Sequence, residues 1–185
     1  MHWIDPDGLP ETRGTVARFL LNPQGELDGF VLGLRHPRQV HFPPHLSWQI
    51  VRSVAVGDKV RVRGVKPRGA DMISAVSITT KTGNVMLDED PHGNGGTHHR
   101  PNDRRRPMQA SGEVLLSLFG PKGELRGALL HDGTSLRMPP HAAVELASYL
   151  APGAHVQAWG HGIRSRHGQT IEVDEIAELV DPAAA

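Results

Sequence analysis

Gly14-Thr-Val-Ala-Arg-Phe-Leu-Leu-Asn-Pro-Gln-Gly-Glu-Leu-Asp-Gly29 is answered, 98 positions later, by Gly112-Glu-Val-Leu-Leu-Ser-Leu-Phe-Gly-Pro-Lys-Gly-Glu-Leu-Arg-Gly127. Each stretch is an apolar run, a turn and the start of a second run. In Asn22-Pro-Gln-Gly25 and Gly120-Pro-Lys-Gly123 the proline presets the second turn position and glycine suits the exit, which predicts a type I hairpin turn. The echo continues, with Val40-His-Phe-Pro-Pro-His45 returning as Leu136-Arg-Met-Pro-Pro-His141. A repeat of this length means that one fold is written twice. What both copies keep points to architecture, and what they change points to specialisation.

Working outward, each copy shows the same order of elements. The first strand is expected at Val16 to Leu21 and Val114 to Phe119, and the second at Gly29 to Leu34 and Gly127 to His131. A short third strand ends at Pro-Pro-His. One helix follows, with Leu46, Ile50, Val51 and Val54 expected on its inner face in copy one, and Val144, Leu146, Ala147 and Leu150 in copy two. The prolines sit just before the helix, where a missing N–H costs least, and Gly57 or Gly153 lies near its end. A fourth strand alternates strictly, as Lys59-Val-Arg-Val-Arg63 and His155-Val-Gln-Ala-Trp159, and ends at Gly64 or Gly160. A last strand covers Met72 to Ile78 or Thr170 to Ile176.

Three strands, a helix and two strands is the order of the OB-fold. An SH3-like barrel would lack a full helix there, and an immunoglobulin sandwich would need about seven strands. The expectation is an all-β protein with one short helix per repeat: two tandem five-stranded OB-fold barrels at residues 12–80 and 111–180. Residues 81–110 would be a flexible Gly/His/Arg-rich linker, because Asp88 to Pro107 carries too little apolar surface to offset its ordering entropy. In its Pro-x-Gly-Glu-(Val/Leu)-x-Gly hairpins and Pro-Pro-His steps, over Thr12 to Thr80 and Ser111 to Val180, the chain resembles uncharacterised bacterial tandem OB-fold proteins. The resemblance implies a binding role, for which OB-folds as a class take single-stranded nucleic acid, oligosaccharide or protein.

Composition bounds that role. Twenty Lys and Arg balance 20 Asp and Glu, which argues against a sequence-independent DNA coater unless charge is locally segregated. With no cysteine there is no disulfide, thiolate metal site or thiol nucleophile. The N-terminus does not read as a secretory signal, and no segment approaches the roughly 18 apolar residues of a membrane span, so a soluble cytoplasmic protein is expected.

Charge is in fact segregated. The period of two aims Lys59, Arg61 and Arg63 outward, and Lys66 and Arg68 extend the charge into the next hairpin, which borders the ligand face of OB-folds. These five are the candidate phosphate contacts, against the plain alternative of a solvated strand face. Copy two has His155, Gln157, Trp159 and His161 instead, followed by an acidic strand with Glu172, Asp174, Glu175 and Glu178. Phe30 and Phe42 are candidate stacking platforms, with core as the alternative; base stacking is worth about 1–3 kcal/mol. With only eight aromatics in the chain, tight single-strand binding is not expected. Trp159, expected outward, marks a candidate ligand, interdomain or protein contact.

His41, His45 and His141 at the corners, and His92, His98, His99 and Arg104 to Arg106 in the linker, raise metal or polyanion binding. A zinc site wants three or four ligands, and copy two offers only His141 in its motif, so a rigid corner is the stronger reading. Gly93-Asn-Gly-Gly96 lacks the following Gly-Lys-Ser/Thr of a phosphate loop, and there is no Gly-x-Ser-x-Gly or His-Glu-x-x-His. No cofactor is expected. The residues therefore predict a non-enzymatic protein that binds single-stranded DNA or RNA weakly, mainly through the first domain. Two other readings stand beside it: a protein-interaction module near Trp159, and metal or small-ligand sensing through the histidines.

Overall fold

The computed structural model describes residues 8–83, 85–87 and 105–179. These divide into two compact units, one built on strands between Glu11 and Leu87, the other on strands between Arg106 and Glu178.

The first unit runs β1 (Glu11–Leu21), β2 (Leu27–Leu32), β3 (Arg38–His41), a 3-10 turn (Pro44–Leu46) leading into α1 (Ser47–Ser53), β4 (Lys59–Val65), β5 (Met72–Thr79) and β6 (Val85–Leu87). Antiparallel neighbours β3-β2-β1-β4-β5 are closed into a ring by a parallel pairing of β3 with β5. β6 adds to β5 as a sixth strand. The second unit runs β7 (Arg106–Phe119), β8 (Leu125–Leu130), β9 (Thr134–Arg137), α2 (Pro140–Glu145) with a following 3-10 turn (Ala147–Tyr149), β10 (His155–Ser165) and β11 (Gly168–Glu178). It closes in the same circuit, again through one parallel pair, β9 with β11. Two barrels, each with its helix between the third and fourth strands, are two tandem OB-folds.

Alternation along the strands fills each barrel. On β4, Val60 and Val62 are buried while Lys59 and Arg61 are exposed. Phe30, Val40, Phe42, Ile50 and Val62 are among the residues with no accessible surface in the first unit. In the second, Val114, Leu130, Leu136, Val156 and Ile171 form the core with Ala143 and Leu150 from the helical connection.

Backbone hydrogen bonds close both repeated hairpin turns. The Gly25 N–H donates to the Asn22 carbonyl (3.0 Å), and in both copies the closing bond is present, from Asn22 N–H to the Glu26 carbonyl (2.8 Å) and from Gly120 N–H to the Glu124 carbonyl (2.7 Å). Asn22 Oδ1 also accepts from the N–H groups of Gln24 (3.0 Å) and Glu26 (2.9 Å), an Asx turn that Gly120 cannot make. Asn22→Ala removes both acceptors and is expected to cost about 1 kcal/mol, lowering the melting temperature by about 4–8 °C in a thermal scan.

Two expectations need correction. In copy two, Val144 is 70% exposed and Ala147 is exposed, while Ala143, Leu146 and Leu150 face inward. In copy one a 3-10 turn at three residues per turn precedes the α-helix, whereas in copy two the helix starts directly at Pro140 and the 3-10 turn follows it. The same Pro-Pro-His step thus starts helices of different phase. The expected linker, residues 81–110, also has strand at both ends: Val85–Leu87 pairs with β5, and Arg106 to Ala110 pair with Gly162 to Ala158 of β10. At the second of these ends Ala110 is buried in the core of the second barrel and Met108 packs against it, so this part of the expected linker belongs to the barrel. The stretch between Asp88 and Arg104 lies outside the described residues.

Candidate nucleic-acid interface

β4 is the middle of a three-stranded surface. Its antiparallel register with β1 sets Arg63 opposite Glu11, Arg61 opposite Arg13 and Lys59 opposite Thr15. Register with β5 sets Arg61 opposite Thr79 and Arg63 opposite Ser77. Like charges directly across a strand pair are destabilising, so the Arg13–Arg61 pair is a feature that folding alone does not favour.

These side chains line a groove of about 440 Å³, bounded by Arg13, Gly14, Thr15, Lys59, Val60, Arg61, Thr79, Thr80 and Lys81. One carboxylate, Glu11, answers several cations at its end: Arg13 Nε at 2.9 Å, Arg63 Nη2 at 3.0 Å and Arg61 Nε at 3.9 Å. Arg63 also donates to the Leu9 carbonyl (3.1 Å). At the other end Lys81 Nζ meets Asp58 Oδ1 at 3.1 Å, while Asp58 Oδ2 accepts from the Ala55 N–H (3.0 Å). The hydrogen bond from Arg13, then the nearby Arg63 and Arg61 charges, hold the Glu11 carboxyl below its ordinary range. The Ala55 N–H, then Lys81, do the same for Asp58. Both acids are therefore ionised at neutral pH. Five cations, Arg13, Lys59, Arg61, Arg63 and Lys81, face these two carboxylates, and the groove keeps an excess of positive charge.

The predicted residues separate into three groups. Lys59 and Arg61 lie together in the groove, with Arg13 and Lys81 added. Arg63 is on the same outer face but is engaged at the edge by Glu11 and Leu9. Lys66 and Arg68 are exposed on the β4–β5 hairpin and do not line the groove. Arg13 escapes a reading of the sequence because its relation to Arg61 depends on the β1–β4 register; the period of two through Glu11, Arg13 and Thr15 is the available signal. Lys81 falls in the expected linker, one residue past the expected end of the first barrel.

Phe30 and Phe42 are corrected from stacking platforms to core. Both have 0% exposure, and their rings pack against each other with centroids 6.1 Å apart. Phe30 on β2 and Phe42 just after β3 both point into the barrel, where an apolar ring is most stable. All six residues of β2 are buried, so no basic groove crosses β2 and β3.

The corresponding face of the second barrel is different. β10 presents His155, Gln157 and Trp159 opposite Glu113, Ser111 and Gln109 of β7, with Glu175 beside Trp159 on β11. Trp159 is half-buried on this outer face. His161 Nδ1 lies 3.1 Å from Asp174 Oδ2. His41 and His45 are half-buried and His141 is exposed. Among the described residues no group of three or more His, Asp or Glu side chains is placed to hold a metal ion, and His92, His98 and His99 lie outside them. Among the same residues no helix is long and apolar enough to cross a membrane.

No protein-family model matches the chain, and no curated protein matches it. Among solved structures the chain is similar to the wild-type single-stranded DNA binding protein from Thermus aquaticus, at 13% identity over 92% of each chain with a TM-score of 0.29. It is likewise similar to a deletion mutant of that protein, at 13% identity over 92% of this chain and 93% of that one, with a TM-score of 0.28. The tandem OB-fold assignment rests on the two strand circuits themselves.

Proposed function

We propose that this is a binding protein, not an enzyme, and that it takes the phosphate backbone of single-stranded DNA or RNA on the β1–β4–β5 face of its first barrel. The observation that carries this reading is the placement of Lys59 and Arg61 in one groove with Arg13 and Lys81, two arginines facing each other across the strand pair. A polyanion relieves that repulsion, and counterion release supplies the affinity. Arg63, Lys66 and Arg68 extend the positive field along β4 and its hairpin. With Phe30 and Phe42 in the core, stacking contributes little, so binding is weak, tolerant of sequence and steeply dependent on salt.

Fluorescence anisotropy of labelled oligo-dT and oligo-U at two salt concentrations tests this; no binding at low salt would sink it. Glu11 gives a test of opposite sign. Its carboxylate occupies the guanidinium groups that a phosphate would use. Glu11→Gln is expected to tighten binding about two- to fivefold, the scale of one exposed ion pair. Unchanged or weaker binding would place the phosphate path away from Arg13.

A further inference from the structure

The second barrel carries positive charge in a place its strand sequence does not advertise. Arg106 at the start of β7 and Arg164 near the end of β10 line a groove of about 450 Å³ with Pro107, Met108 and Gly162. The β7–β10 register pairs Gly162 with Arg106, which brings Arg106 and Arg164, 58 positions apart in the chain, to one edge. A Cβ at position 162 would collide first with the Thr170 carbonyl oxygen and then with the Met108 sulfur, so the glycine lets β11 and Met108 both pack closely there. Arg166, exposed, follows in the turn between β10 and β11.

Nearby acids are already engaged. Glu172 is met by Arg105 Nη1 at 2.8 Å, and Asp174 by His161 at 3.1 Å. Among the described residues no carboxylate pairs with Arg106, Arg164 or Arg166. Arg164 is also positioned. Its Nε donates to Gln169 Oε1 (3.2 Å), and Gln169 Nε2 donates to Oγ1 of the buried Thr134 (2.8 Å). Holding a guanidinium through Nε leaves its two terminal amino groups for an acceptor that takes both, which is the geometry of a phosphate.

We infer that the Arg106–Arg164 groove is a second site for the backbone of single-stranded nucleic acid, with Met108 and Pro107 supplying apolar surface beside the phosphate. This rests on the reading of the first barrel for the ligand class. It changes the division of labour: the strand face differs between the barrels, but the last hairpin is basic in both, through Lys66 and Arg68 in one and Arg164 and Arg166 in the other.

The test is anisotropy of fluorescein-labelled oligo-dT with the full chain over a salt series. Arg106→Gln with Arg164→Gln is expected to flatten the slope of log K against log salt by about 1.4, about 0.7 for each phosphate no longer neutralised on a single strand. Arg106→Lys with Arg164→Lys keeps the charge and is expected to keep the slope, which separates an absent phosphate interaction from misfolding. A slope unchanged in the Gln pair but reduced by Lys59→Gln with Arg61→Gln overturns this site and leaves the first barrel standing. The reverse pattern overturns the first-barrel reading and supports this one, and a wild-type chain that does not bind overturns both.

Discussion

Reversing Lys59 and Arg61 to glutamate together is expected to weaken binding of single-stranded oligonucleotide roughly 100-fold at low salt, about tenfold for each charge-assisted phosphate interaction removed. The fold should be indifferent to the change. Both side chains are exposed on β4, and neither contributes to the core behind Val60 and Val62. Arg61→Glu loses the long 3.9 Å ion pair with Glu11 but replaces the like-charge pair opposite Arg13 with an attractive one, so stability is expected to hold. Circular dichroism melting would show this, while anisotropy reads the binding. Wild-type affinity in the double variant would remove the β1–β4–β5 groove from consideration, because no phosphate path through it avoids both positions. The effect should shrink as salt rises, since the missing attraction is electrostatic.

The architecture is legible in the sequence because two independent copies have to agree. The hairpin turns, the helix after Pro-Pro-His and the alternation of β4 all appear where the repeat places them. Alternation also tells outside from inside on β4, where Lys59 and Val60 fall on opposite faces. It does not do so for Phe30 and Phe42, because a ring on a barrel strand reads alike whether it faces ligand or core. Nor can local pattern show which residues meet across strands. Arg13 joins Arg61, and Arg106 joins Arg164, only through register, and register is a property of the pairing rather than of either segment. The helix of copy two departs from expectation for a related reason. The phase of a short helix is set by whether its first turn is 3-10 or α, and the shared Pro-Pro-His step permits either.

Gly160→Ala is expected to destabilise the second barrel by about 3 kcal/mol, at the upper end for overpacking, and to lower its melting temperature by roughly 10–25 °C. In both barrels the fourth strand breaks register with the fifth just before a glycine, between Arg63 and Gly64 and between Trp159 and Gly160. A bulge there bends the strand and brings the two backbones close. A Cβ at Gly160 would collide with the carbonyl oxygen of Glu172, and one at Gly64 with that of Ser74. The obstacle is main chain, so no rotamer change relieves it; the β10–β11 ladder must open instead. Gly153→Ala is the informative control. Gly153 has a φ of 90° but nothing within 4 Å of a Cβ, so its substitution carries only left-handed strain of about 1–2 kcal/mol. Gly160 is the converse, with a backbone outside the left-handed region and no room for a side chain. If backbone conformation alone made the repeated glycines necessary, Gly153→Ala would be the more damaging of the two. Close approach of the strands predicts the opposite order, and the fluorescence of Trp159, which flanks the bulge, would report the melting of that barrel once Trp3 and Trp48 are replaced by Phe.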